Sequence, residues 1–162
     1  MDGWLRMKAG IGCPLCAPRP AFSDSLYRVC RLAASTLYLA RDQTYRGACR
    51  LIFDPRHVNR IDELSAGEWQ QLAGDLWTGA RALALAMEFE HLNVASLGNE
   101  VPHLHWHLIP RRRDDGRWGA PIWSVPPAAS AAHMLPEDQY AGLAERLRGA
   151  VGTVCADRHQ PT

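Results

Sequence analysis

Residues 103–107 read His-Leu-His-Trp-His, and Leu108, Ile109 and Pro110 follow. Polar and large apolar residues alternate with a period of two, the signature of a half-buried strand. No other stretch constrains the fold as tightly, because only in an extended chain do residues i, i+2 and i+4 share one face. His103, His105 and His107 would then line one side of a sheet, with Leu104, Trp106 and Leu108 turned to the core. At about 3.3 Å per residue, neighbouring histidines would stand roughly 6.5–7 Å apart. Three separate stations allow three different tasks. A merely solvated strand face has little reason to concentrate titratable rings in this way.

The rest of the chain must supply a sheet and a core for that strand. With 162 residues, 47% of them hydrophobic and 22% charged, it can build one globular domain over residues 1–162. A net charge of +1 gives no reason to expect nucleic acid or a membrane surface as a partner. No apolar run approaches the roughly 20 residues needed to span a bilayer. The opening Met1-Asp2-Gly3-Trp4 lacks a basic stretch leading into an apolar one, so no secretory signal is read and a cytoplasmic location is expected. Five cysteines, an odd number, argue against a disulfide framework.

Short alternating runs predict strands over 27–32, 35–39, 49–53, 92–97 and 102–110. Ser65-Ala66-Gly67-Glu68 is a capping box. Apolar residues then recur at helical spacing at Trp69, Leu72, Leu76, Ala80, Leu83 and Met87, predicting a helix over about 66–88. A second helix is expected over 136–151, with Pro136 suited to a first turn and a frayed tail beyond. Residues 1–25 read as irregular, and 111–127 as an ordered loop. Strands grouped around one long helix, without regular strand–helix alternation, indicate an α+β fold with an antiparallel sheet of about five strands.

Cys13-Pro-Leu-Cys16 is half of a zinc site, since two thiolates at this spacing can hold one tetrahedral ion and two more ligands are then required. A redox pair is the competing reading, but such pairs sit at a helix start near a βαβ unit, and this region shows neither. His57, just after the strand that ends at Asp54-Pro55, is a candidate third ligand. One of the three strand histidines is a candidate fourth, and spacing alone does not say which.

The histidine strand, Arg41-Asp42-Gln43-Thr44-Tyr45-Arg46-Gly47, Asp54-Pro55-Arg56-His57 and Gly98-Asn99-Glu100-Val101-Pro102 together resemble the histidine triad (HIT) superfamily. The likeness covers about residues 13–123. The stretch from Asp114 to Trp123 looks like bacterial members described as diadenosine tetraphosphate hydrolase-like. The resemblance implies a HIT-like fold and a nucleotide hydrolase or transferase. In it His105 is the nucleophile, which forms a nucleotidyl-histidine at the α-phosphorus, and His107 donates a hydrogen bond to the phosphate or leaving group. Candidate substrates are dinucleoside polyphosphates, nucleoside phosphoramidates and aminoacyl-adenylates. Asp42, Asn93 and Asn99 are the implied substrate-binding residues, Asn99 standing where the family carries a glutamine. Zinc-containing relatives imply the ligand set Cys13, Cys16, His57 and His103, about one structural zinc per chain. A homodimer formed through the long helix and its adjacent strand is also implied.

The alternatives are a nucleotide-binding or regulatory module with little catalysis, and a phosphorylase or nucleotidyltransferase. Arg111, Arg112 and Arg113 either meet phosphates or form a solvated face. Trp118 and Trp123 read as packing residues. Cys30 and Cys49 read as core, Cys155 carries no assigned role, and His91, His133 and His159 read as exposed.

Overall fold

A computed structural model describes residues 2–122 and 133–157. Five strands form one antiparallel sheet: β1 (Leu26–Arg31), β2 (Ser35–Ala40), β3 (Cys49–Phe53), β4 (His91–Ala95) and β5 (His105–Arg111), in the order β1-β2-β3-β5-β4. Three helices accompany them: α1 (Gly3–Lys8), α2 (Ala66–Ala86) and α3 (Glu137–Asp157). The fold is α+β, as the strand grouping predicts. Among the described residues, no helix is long and apolar enough to cross a membrane.

Alternation sorts the two faces of the sheet. Leu37, Leu51 and Trp106 occupy matching register positions on β2, β3 and β5, as do Leu39, Cys49 and Leu108. These residues join Leu72 and Leu83 of α2 and Leu143 and Leu147 of α3 in the main apolar cluster, in which Trp106 is the partly buried member. The opposite face carries Tyr38, Arg50 and His107 in one register row, and Thr36, Ile52 and His105 in the next. All of β2 is buried, so both faces are covered.

Helix α2 begins at the expected capping box, where Ser65 Oγ accepts from the Glu68 N–H and the Glu68 carboxylate accepts from the Ser65 N–H. Its expected apolar stripe is only partly inside. Leu72 and Leu83 are buried and Leu76, Ala80 and Met87 pack against the core, whereas Trp69 at the start of the stripe is exposed. From its buried face Asp75 accepts from the N–H groups of Ala33 and Ala34 and from Ser35 Oγ, tying the β1–β2 turn to the helix.

Most boundaries agree to within two residues, and three differ by more or in kind. Residues 1–25 are not wholly irregular, because α1 forms there with Asp2 as its N-cap. Six residues with no buried member leave no periodic pattern to read. The C-terminal helix continues to Asp157 rather than fraying after 151, since Val154 extends its buried face by one more turn. The histidine strand begins at His105, not at 102. Pro102 has no N–H to donate, and the Leu104 N–H turns to the Val58 carbonyl, while its own carbonyl still accepts from Phe53 at the end of β3. Pro110 is tolerated inside β5 because it lies beyond Leu108, the last residue paired with β3.

Candidate active site and metal centre

Four residues from three segments converge at one end of the sheet. Cys13 and Cys16 come from the N-terminal segment, His57 from the loop after β3, and His103 from the approach to β5. Their ligand atoms all lie within 4.8 Å of one another. His103 Nδ1 stands 3.6 Å from Cys13 Sγ and 3.7 Å from Cys16 Sγ, and His57 Nδ1 stands 3.3 Å from Cys16 Sγ. A tetrahedron with metal–sulfur bonds of about 2.3 Å and metal–nitrogen bonds of about 2.0–2.1 Å has edges of roughly 3.3–3.8 Å. The cluster therefore has the size of a closed zinc site.

The ring tautomers agree with that fit. His103 Nε2–H donates to the Phe53 carbonyl at 2.7 Å, and His57 Nε2–H donates to the Lys8 carbonyl at 3.1 Å. A carbonyl only accepts, so each ring carries its proton on Nε2 and turns the Nδ1 lone pair to the thiols. Burial pushes His103 down to about 4 against the raising effect of its Phe53 bond, which keeps the ring neutral, as a ligand must be. Burial and the neighbouring Cys13 push the Cys16 thiol up, with Arg19 opposing. A bound cation reverses that preference and makes a thiolate pair tenable. The four residues could thus hold a metal ion, and their two-sulfur, two-nitrogen donor set suits zinc.

The other two strand histidines face a cavity of about 650 Å³. Its walls include Asp42, Arg50, Gly98, Asn99, His105 and His107. His105 Nδ1–H donates to the backbone carbonyl of His103 at 2.6 Å. That bond fixes the tautomer, so His105 Nε2 carries a lone pair, 3.2 Å from His107 Nε2. His107 Nε2–H is the donor in this contact. The ring centroids are 5.1 Å apart, so the rings lean together instead of keeping the separation expected from strand rise. Burial lowers both histidines, with the Arg50 charge adding to the effect, and His107 is pushed down to about 3.

Asp42 is placed by its own loop. Its Oδ1 accepts from the Thr44 N–H at 2.9 Å and from Thr44 Oγ1 at 2.7 Å. Buried Gln43 spans the same loop, donating to the Ala40 and Ala48 carbonyls and accepting from the Gly47 N–H. Gly98 holds a φ of +68° immediately before Asn99, a conformation that favours glycine and sets the direction of the wall.

Asn93 departs from expectation and is not among the residues lining the histidine cavity. It lies two register steps along β4 from Ala95, the residue paired with His107, and its Oδ1 accepts from Arg111 at 3.0 Å. It lines a separate, more open groove of about 900 Å³ along β4, together with Arg111 and Trp118. The two alternatives for the arginine run resolve differently at each position. Arg111 is buried over the Tyr45 ring and paired with Asp115 at 2.6 Å, so it organises the following loop. Arg112 donates to the Glu88 carbonyl, and Arg113 lies over the exposed Trp118 ring. His91 and His133 are exposed, as expected. Trp123, His159 and the end of the 111–127 loop lie outside the described residues.

Sequence reading did not single out Arg50. Its signal was present, since a charged residue interrupts the apolar run Cys49-Arg50-Leu51-Ile52-Phe53 at a position facing away from the core.

Comparison with known proteins yields a family and a set of folds. The HIT domain family model matches residues 29–114. A histidine triad protein from Bradyrhizobium japonicum superposes with a TM-score of 0.71 at 26% identity, covering 79% of this chain and 92% of that one. A histidine triad (HIT) protein from Sinorhizobium meliloti 1021 gives 0.70 at 25% identity, covering 78% and 90%. A zinc-bound histidine triad family protein from Mycobacterium smegmatis shares the fold, with a TM-score of 0.59 at 18% identity over 80% and 86%. No curated protein matches the chain at a significant level.

Proposed function

Because this chain belongs to the HIT domain family, we propose that it is a nucleotide hydrolase or transferase acting at the α-phosphate, with His105 as nucleophile and a structural zinc on Cys13, Cys16, His57 and His103. One observation carries the reading: the His103 carbonyl holds His105 Nδ1–H, so the free lone pair is on Nε2, the nitrogen that meets His107 in the cavity. In the first step Nε2 forms a bond to the α-phosphorus. The bond to the leaving group breaks, and its electron pair departs with that group. His107 turns its N–H from His105 to the phosphate or leaving group, stabilising charge where it develops. In the second step water oxygen forms a bond to the phosphorus and gives its proton to solvent, while the phosphorus–nitrogen bond breaks and its electron pair returns to His105 Nε2. Splitting one displacement into two lowers each barrier.

Asp42 and Asn99 are the substrate contacts this reading keeps, Asp42 accepting from ribose hydroxyls and Asn99 donating to phosphate. A cavity of this volume is within the usual range for small ligands. The test is mononucleotide release from diadenosine tetraphosphate and from adenosine phosphoramidate, each with and without inorganic phosphate. Release independent of phosphate is expected. Products carrying an extra phosphate would indicate phosphorolysis, and nucleotide binding without release would favour the binding-module reading.

A homodimer belongs to the same proposal. Strand β4 is a sheet edge with Val94 exposed, and α2 presents Trp77 and Leu85 to solvent. A lysine on an exposed edge opposes strand pairing. Val94→Lys is therefore expected to run near the 18.0 kDa of one chain in light scattering, and the wild type near twice that mass. A monomeric wild type would overturn the dimer.

A further inference from the structure

We propose that Arg50 binds the phosphate next to the one transferred, so that this site selects nucleotides whose leaving group is itself an anionic phosphate over those that release an amine. The inference rests on the assignment of His105 and the cavity given above.

Arg50 is the β3 residue in register with His107, on the cavity face of the sheet. It is half-buried, yet among the described residues its side chain donates to one carbonyl, that of its own neighbour Cys49, at a long 3.3 Å. A guanidinium has five N–H donors. Other arginines withdrawn from water in this chain have a carboxylate: Arg19 has Asp54, Arg41 has Glu137, and Arg111 has Asp115. Among the described residues no carboxylate is within ion-pair distance of Arg50. Asp42 interacts with it only through space, although both line the same cavity. A desolvated cation with an unfilled donor set costs stability unless an anion completes it. The planar fork of arginine matches two phosphate oxygens at once.

Position then separates the transferred phosphate from its neighbour. The α-phosphorus must meet His105 Nε2, with His107 beside it. Arg50 lies on the next strand, about 4.8 Å further across the sheet, beside His107 rather than beside His105. Ile52 occupies the register position opposite His105. A phosphate adjoining the transferred one falls between His107 and this guanidinium, whereas an amine leaving group would place no negative charge there.

The experiment compares wild type, Arg50→Met and Arg50→Lys on two substrates, and titrates inorganic tripolyphosphate into each protein by calorimetry. Arg50→Met is expected to lower the ratio of kcat/KM for diadenosine tetraphosphate to that for adenosine phosphoramidate by at least about tenfold, the order of one charge-assisted pair. Tripolyphosphate affinity should fall by a similar factor. Arg50→Lys, a charged side chain without the fork, should recover part of both losses and shows that the effect is not simple misfolding. An unchanged ratio, with tripolyphosphate bound equally by wild type and Arg50→Met, overturns the role of Arg50 while leaving the His105 reading standing. Arg50-dependent tripolyphosphate binding in a protein that turns over neither substrate supports the anion site and defeats the catalytic reading instead.

Discussion

His105→Ala is expected to reduce mononucleotide release by more than about a thousandfold, the scale seen when a nucleophile is removed from a covalent mechanism. The variant loses the lone pair that forms the intermediate, and nothing nearby replaces it. The fold should tolerate the change. His105 lies on the cavity face, while Leu104, Trp106 and Leu108 hold the same segment to the core. The bond from His105 Nδ1 to the His103 carbonyl is lost, a cost of about 1 kcal/mol. The measurement pairs steady-state turnover with a thermal melt, and adds mass spectrometry of alkali-quenched protein, in which an acid-labile phosphorus–nitrogen bond survives, to find a nucleotidyl adduct on the wild type alone. Activity within tenfold of wild type in a folded His105→Ala would assign the chemistry to another group.

Metal removal is the second large effect. None of the described residues before β1 is buried, so residues 2–25 have little apolar packing of their own. The links that bind this segment to the sheet are largely polar, among them the Cys13 and Cys16 contacts, the Arg19–Asp54 pair, the bonds of Arg41 to the Ser23 and Ser25 carbonyls, and the bonds of His57 and Asn59 to the Lys8 carbonyl. A structural zinc can contribute apparent binding energies of about 10–16 kcal/mol at neutral pH, far more than the hydrogen bonds do at about 1 kcal/mol each. Protein purified without chelator is expected to contain about one zinc per chain. Chelation, or Cys16→Ser, should lower Tm by at least about 10 °C and open residues 1–25 to limited proteolysis. Turnover should fall with it, because the residue that would bind metal through its ring also positions His105 through its carbonyl. Metal-free protein with reduced thiols and an unaltered melt on chelation would refute the zinc assignment.

Much of this arrangement was legible locally. Alternation located β5, the Ser65–Glu68 box located the start of α2, and Cys-x-x-Cys marked half a cluster. Other features were not. His103 belongs in pattern to the strand but in space to the turn before it, because Pro102 has no N–H to donate and the Leu104 N–H goes to the Val58 carbonyl, outside the sheet. Asn93 has the right residue type on the right strand, yet the sheet register sets it beside Ile109, away from the histidine pair. Arg50 had a signal in its run but no partner in sequence to give it meaning.

Local pattern is enough for whatever depends on neighbours within one turn or one strand: the period of the apolar residues, a cap, a pair of thiols three residues apart. These follow from backbone geometry and do not need the rest of the chain. Which side chains meet depends on how distant segments pack. The pairing of β3 with β5 put Arg50 beside His107, and the packing of the N-terminal segment closed four ligands from three segments to within 4.8 Å. Such contacts are set by register and by how loops cross the sheet. Those are properties of the whole packed core, and a one-residue shift would change them while leaving every local pattern intact.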